Sequence, residues 1–221
     1  DKVAPFFNKG KKNVLILIDN FRFDQWKTLQ PIIRENYKLE DEGVFCSILP
    51  TATQYSRNAM FAGLMPSEIS KLYRDLWLND EEEGGKNLHE EELIKNQLHR
   101  LGFKDRFFYT KINNLQGGQK LVDNMKDLLN YDFSVIVYNF VDMLSHARTE
   151  MKMIRELASD ESAYRSLTLS WFEHSPLKEL FDGLAEENVN LFITTDHGAI
   201  RVHNPVKVVG DRNISTNLRY K

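Results

Sequence analysis

The chain has 221 residues, enough for one large domain or one domain carrying an insertion. With 42% hydrophobic and 28% charged residues it reads as an ordinary globular protein, and a net charge of −3 gives no support to a broad nucleic-acid face, a long duplex partner or a polybasic membrane patch. No apolar run approaches the roughly 20 residues of a membrane span, so no membrane association is expected. Cys46 is the single cysteine. It excludes an internal disulfide and fits a reducing compartment, so a cytoplasmic location is expected, with Cys46 a small core residue on a strand.

The start, Asp1-Lys2-Val3-Ala4, is neither an initiator Met nor a signal peptide, and the chain reads as a fragment of a longer protein. Residues 1–12 are polar and Lys-rich and read as the end of a linker, leaving residues 13–221 as the domain. Val14-Leu15-Ile16-Leu17-Ile18 is a continuous aliphatic run, the pattern of a strand buried on both faces of a parallel sheet. It ends in Asp19. A helix is predicted over 22–36, with Pro31 a possible break. A second strand is predicted over 44–49, leading through Pro50-Thr51-Ala52-Thr53 into a helix over 55–63. Residues 79–86 form an acidic, glycine-containing loop, and 88–101 a helix. Strand 107–109 and helix 118–129 follow.

Ser134 to Val141 reads as another buried strand, with Asp142 after it and His146 four residues further on. Residues 149–158 and 160–187 read as helical, broken near Pro176. A last strand, 189–195, ends in Asp196-His197-Gly198. Strands alternating with helices predict an α/β fold with a mostly parallel sheet and helices on both faces.

Three predicted strands thus end in aspartates: Asp19, Asp142 and Asp196. In such a sheet the strand C-termini share one edge, so residues remote in sequence converge there. Crowded carboxylates repel unless a cation sits among them, and Asp with His suits zinc or manganese. Each residue alone has a plainer role: an aspartate after a strand caps a helix, Thr51 or Thr53 can cap the one that follows, and His197-Gly198 fits a turn. Their recurrence at one kind of position favours the metal reading. His89, His99 and His174 lie in polar helical surroundings and read as surface residues.

Ile18-Asp19-Asn20-Phe21-Arg22, the Pro-Thr-Ala-Thr turn, Asp142-x-x-x-His146 and Thr195-Asp196-His197-Gly198 resemble the alkaline phosphatase superfamily in order and spacing. Thr51-Ala52-Thr53 with Ser56-Arg57, and the tail Val208-Val209-Gly210-Asp211-Arg212, are similar to its PglZ branch, with the output domains of PorX-type response regulators of type IX secretion the nearest likeness. That resemblance implies an alkaline-phosphatase-like fold and two zinc ions. Asp19, Thr53, Asp196 and His197 would hold one, Asp142 and His146 the other. It implies a threonine nucleophile at Thr53, with Thr51 the runner-up, and phosphodiester or oligonucleotide-type substrates. It also implies an upstream receiver domain and signalling partners.

A helix beginning near Thr53 puts Arg57 on the same face, where it can hold a phosphate oxygen; a surface arginine fits the spacing equally. A further histidine expected for the second metal is either His203 or a residue beyond Lys221, which makes the domain read as C-terminally truncated. The alternative function is a regulatory protein-interaction domain with a vestigial site.

Overall fold

A computed structural model describes residues 2–7, 10–78, 85, 87–104, 106–200, 202, 204 and 206. Strands β1 (Lys12–Ile18), β2 (Phe107–Ile112), β3 (Phe133–Tyr138) and β4 (Val189–Thr194) form one all-parallel sheet in the order β2-β3-β1-β4. The register sets Ile18 against Tyr138 and Leu17 against Thr194, so the strands flanking β1 end level with it.

The aliphatic run in β1 is buried for the reason its pattern suggests: each face has its own core. Val14, Ile16 and Ile18 pack with Ile136 and Tyr138 of β3 on one side. Leu17 packs with Phe133, Val135 and Val137 on the other. The first core is covered by α1 (Phe23–Ile33), α5 (Leu115–Asp123), α8 (Glu161–Glu173) and α9 (Pro176–Ala185), through Leu29, Leu121, Phe172, Leu177 and Phe181. The second lies under α2 (Thr53–Ala62), α3 (Pro66–Leu72) and α4 (Glu90–Arg100), through Phe61, Ile69, Leu93 and Leu98. Each such side chain contributes about 1.5–3 kcal/mol when fully buried. The remaining helices are α6 (Phe140–Glu150) and α7 (Lys152–Leu157).

Several expectations need correction. Residues 37–48 adopt no regular structure, and Val44, Phe45 and Leu49 are largely exposed. A strand needs a hydrogen-bonded neighbour, and no described strand pairs with the 44–49 run. Cys46 is therefore exposed, not a core residue. Asp142 does not end a strand: β3 stops at Tyr138, and Asp142 is the third residue of α6. β4 is half-buried, as an edge strand. Pro31 lies inside α1 and does not break it.

The lead-in is not a bare linker. Phe7 packs on Phe103 and Phe133 at ring separations of 4.6 and 5.1 Å. Apart from Gly85, the acidic loop 79–86 lies outside the described residues, as do His203 and the 208–212 tail.

Candidate metal centre

The site begins with a backbone constraint. After β1 the chain must turn across the sheet edge, and Asn20 does so at φ 59°, a left-handed conformation that asparagine tolerates better than most residues. The turn aims the Asn20 N–H at Asp196 Oδ1 (3.3 Å) and its Nδ2 at Asp142 Oδ1 (3.2 Å). A single residue thus links the end of β4 to α6. Thr195 Oγ1 accepts the Phe21 N–H at 3.0 Å and donates to the His197 carbonyl at 2.7 Å, fixing the turn after β4.

Asp19, Asp196 and His197 are 3%, 1% and 4% exposed, and each offers a ligand atom within 4.8 Å of the others. Thr53 completes the group. The N-cap of α2 is Ala52, which has no side-chain cap, so Thr53 is the first helical residue and its hydroxyl does not cap the helix as expected. The Thr53 Oγ1 lies 3.0 Å from His197 Nε2 and 3.4 Å from Asp19 Oδ1, with His197 Nε2 3.7 Å from Asp19 Oδ1. Ligands about 2.0 Å from a tetrahedral zinc stand about 3.3 Å apart.

His197 Nδ1 lies 3.2 Å from the Gly198 carbonyl. That contact assigns the proton to Nδ1 and leaves the Nε2 lone pair for a metal or for the Thr53 proton. Burial, and then the charge of Asp196, raise the Asp19 pKa above its usual range, with Arg57 and His197 opposing. A carboxylate destabilised in this way is one that a cation would stabilise. The donor set fits one divalent ion.

The chain belongs to the PglZ family. The family described as the BREX system PglZ alkaline phosphatase-like domain matches residues 1–220, and no curated protein matches the chain. In this PglZ domain the second predicted pair, Asp142 and His146, stands apart from the buried group. His146 Nε2 is 3.5 Å from Asp142 Oδ2, and the histidine side chain is 54% exposed. The Asp142 pKa is raised by burial and by the charge of Asp19, so the two clusters are electrostatic neighbours. Thr51 lies two residues before α2.

Arg57 departs from both sequence readings. It shares the α2 face with Thr53, as the spacing predicts, yet it is 1% exposed and turns inward onto Asp19, Asp196 and Glu90. It is neither a surface residue nor aimed at an arriving phosphate. Glu90 and Asn20 were missed. Glu90 opens an acidic run whose next two members, Glu91 and Glu92, are exposed. Nothing local in the sequence marks it.

An apolar cavity of about 400 Å³ opens beside Asp196, lined by Phe45, Ile48, Met60, Leu64 and Met65. No helix among the described residues is long and apolar enough to cross a membrane.

Proposed function

We propose that this domain is a metal-dependent phosphodiesterase or phosphatase that uses Thr53 as its nucleophile. The observation that carries the reading is the approach of Thr53 Oγ1 to His197 Nε2 and Asp19 Oδ1 within a buried Asp-Asp-His cluster. Asp19, Asp196, His197 and Thr53 would hold one zinc ion, and Asp142 with His146 a second. The ions would lower the pKa of the Thr53 hydroxyl and neutralise charge on the phosphoryl oxygens.

Thr53 Oγ1, its proton lost to solvent, forms a bond to phosphorus while the opposite ester bond breaks. The departing oxygen takes a proton from water. A water molecule then cleaves the Oγ1–P bond, releasing phosphate or a monoester and returning the threonine. The buried walls of the cluster exclude other water, and the helix start at Thr53 places backbone N–H groups near the phosphoryl group. The apolar cavity beside Asp196 suits the organic group of a diester, such as a nucleotide. A cytoplasmic role as the output domain of a response regulator, of the PorX kind, completes this reading.

A regulatory interaction domain is the second reading. It is favoured by the exposed Met143 on α6, Met153 and Leu157 on α7, and Met151 at their junction, an adaptable apolar surface. One experiment separates the two: zinc content and hydrolysis of bis-p-nitrophenyl phosphate by the purified chain, with and without Thr53→Ala. A loss of about a thousandfold or more in kcat on substitution is expected. A zinc-free wild type no more active than the variant would leave only the regulatory reading.

A further inference from the structure

Behind the two ligand carboxylates lies a buried cation held in place from its far side. Arg57 Nη2 contacts Asp19 Oδ2, its Nε donates to Asp196 Oδ2 at 3.0 Å, and its Nη1 reaches Glu90 Oε1 at 3.4 Å. The oxygens divide between two directions. Asp19 presents Oδ1 to Thr53 and His197 and Oδ2 to Arg57. Asp196 Oδ1 accepts the backbone N–H groups of Asn20 and His197 at 3.3 and 2.9 Å, which leaves Oδ2 for the guanidinium.

Glu90, 1% exposed, is anchored in turn by the Tyr109 hydroxyl and by Lys111 Nζ at 2.9 Å, both from β2. A guanidinium stays protonated in proteins, so Arg57 is a fixed positive charge. The contacts run from the ends of β1 and β4 through α2 and α4 to β2. The group sets three carboxyl side chains, Asp19, Asp196 and Glu90, against two cations, Arg57 and Lys111.

We propose that Arg57, anchored by Glu90, is a built-in counter-cation, a positioning residue that holds the Asp19 and Asp196 carboxyl groups in their ligand orientation before a metal ion arrives. The inference rests on the metal-site reading above. Without Arg57 two buried carboxylates face each other uncompensated in the metal-free protein, whereas a bound ion can compensate them in the loaded one. A simple structural tie between α2 and the sheet predicts something different, namely equal loss in both states. Lysine restores the charge but not the planar fork that meets two carboxylates at once.

The test is thermal melting of the purified chain with and without zinc chloride, together with zinc affinity by competition with a chromogenic chelator. In Arg57→Met the metal-free melting temperature is expected to fall by about 10 °C, with zinc recovering most of the fall. The zinc-induced rise then exceeds that of the wild type, and Arg57→Lys lies between the two. Equal falls with and without zinc would overturn the proposal. If Arg57→Met does not fold in zinc-free buffer, Glu90→Gln decides: a metal-free fall largely repaired by zinc supports the proposal, and an unrepaired one refutes it. A wild type that takes up no zinc defeats the metal-site reading itself. A zinc-binding wild type whose Arg57 and Glu90 variants show unaltered zinc responses defeats only this inference.

Discussion

Asp19→Asn is expected to stabilise the metal-free protein while removing the proposed metal site. Asp19 is 3% exposed, and its ligand atom lies within 4.8 Å of those of Asp196 and His197. At that separation, and an effective dielectric of about 20, its repulsion with Asp196 is about 3 kcal/mol. Contact with the Arg57 guanidinium offsets a term of similar size, which leaves the cost of burying the charge. The net direction is a pKa raised above the ordinary 3.8, with burial the largest cause and Asp196 the next.

A carboxyl whose folded pKa is raised contributes stability that is present below its unfolded pKa and lost as pH rises through the folded value. At pH 7, above its ordinary pKa, the Asp19 carboxyl is therefore a net cost, and an amide of the same shape removes it. A gain on the order of 1 kcal/mol corresponds to a rise of about 2–4 °C in melting temperature. The assay is calorimetry in chelator from pH 3.5 to 8, paired with zinc competition at pH 7. The gain should shrink toward zero at the acid end, where the wild type protonates, and zinc affinity should fall by at least about a hundredfold. A variant that melts below the wild type at pH 7 in chelator would refute the reasoning, because attraction to Arg57 would then outweigh burial and repulsion.

Asn20→Gly keeps the left-handed turn at φ 59° but removes the Nδ2 bond to Asp142. Zinc titration should then show a weakened second equivalent and an unchanged first, and parallel loss of both would contradict the bridging role. Gly63 ends α2 at φ 60°, and an added Cβ would overlap the Gln97 side-chain amide. Gly63→Ala should cost about 1–2 kcal/mol, mostly backbone strain because Gln97 can shift, and be visible as a lower denaturant midpoint. Phe172 is fully buried against Phe181 with rings 5.7 Å apart. Phe172→Ala should cost about 3–5 kcal/mol in urea unfolding and leave zinc affinity nearly unchanged, since it lies in the core and away from the ligands.

The α/β architecture was legible because β1 and β3 are buried on both faces and carry the unbroken apolar runs Val14–Ile18 and Val135–Val137. A continuous run of that kind survives any choice of neighbours. The 44–49 run has the same composition and forms no strand, since composition cannot state whether a ladder partner is adjacent. The site was legible where a strand end fixes direction: Asp19 and Asp196 follow β1 and β4, which are paired in register, so their approach follows from topology. It was illegible where a helix decides which way a side chain turns. Arg57 lies at the predicted spacing from Thr53, but its inward turn depends on the positions of Asp19, Asp196 and Glu90, all remote from it in sequence.

The two candidate cation positions differ in kind. Asp19, Asp196 and His197 hang from strand ends that the sheet holds rigid, with an asparagine turn and a buried guanidinium fixing the carboxylates. Asp142 and His146 ride one helical turn apart on α6, with Asp142 tied to the Asn20 amide and the His146 side chain about half exposed. Burial makes the first position costly without a cation and selective with one. The exposed His146 makes the second more open and adjustable, although its Asp142 is itself partly buried. On the proposed reading, such a division would suit phosphodiester chemistry, in which the nucleophile must be held at one place while the other end of the ester arrives, leaves and varies.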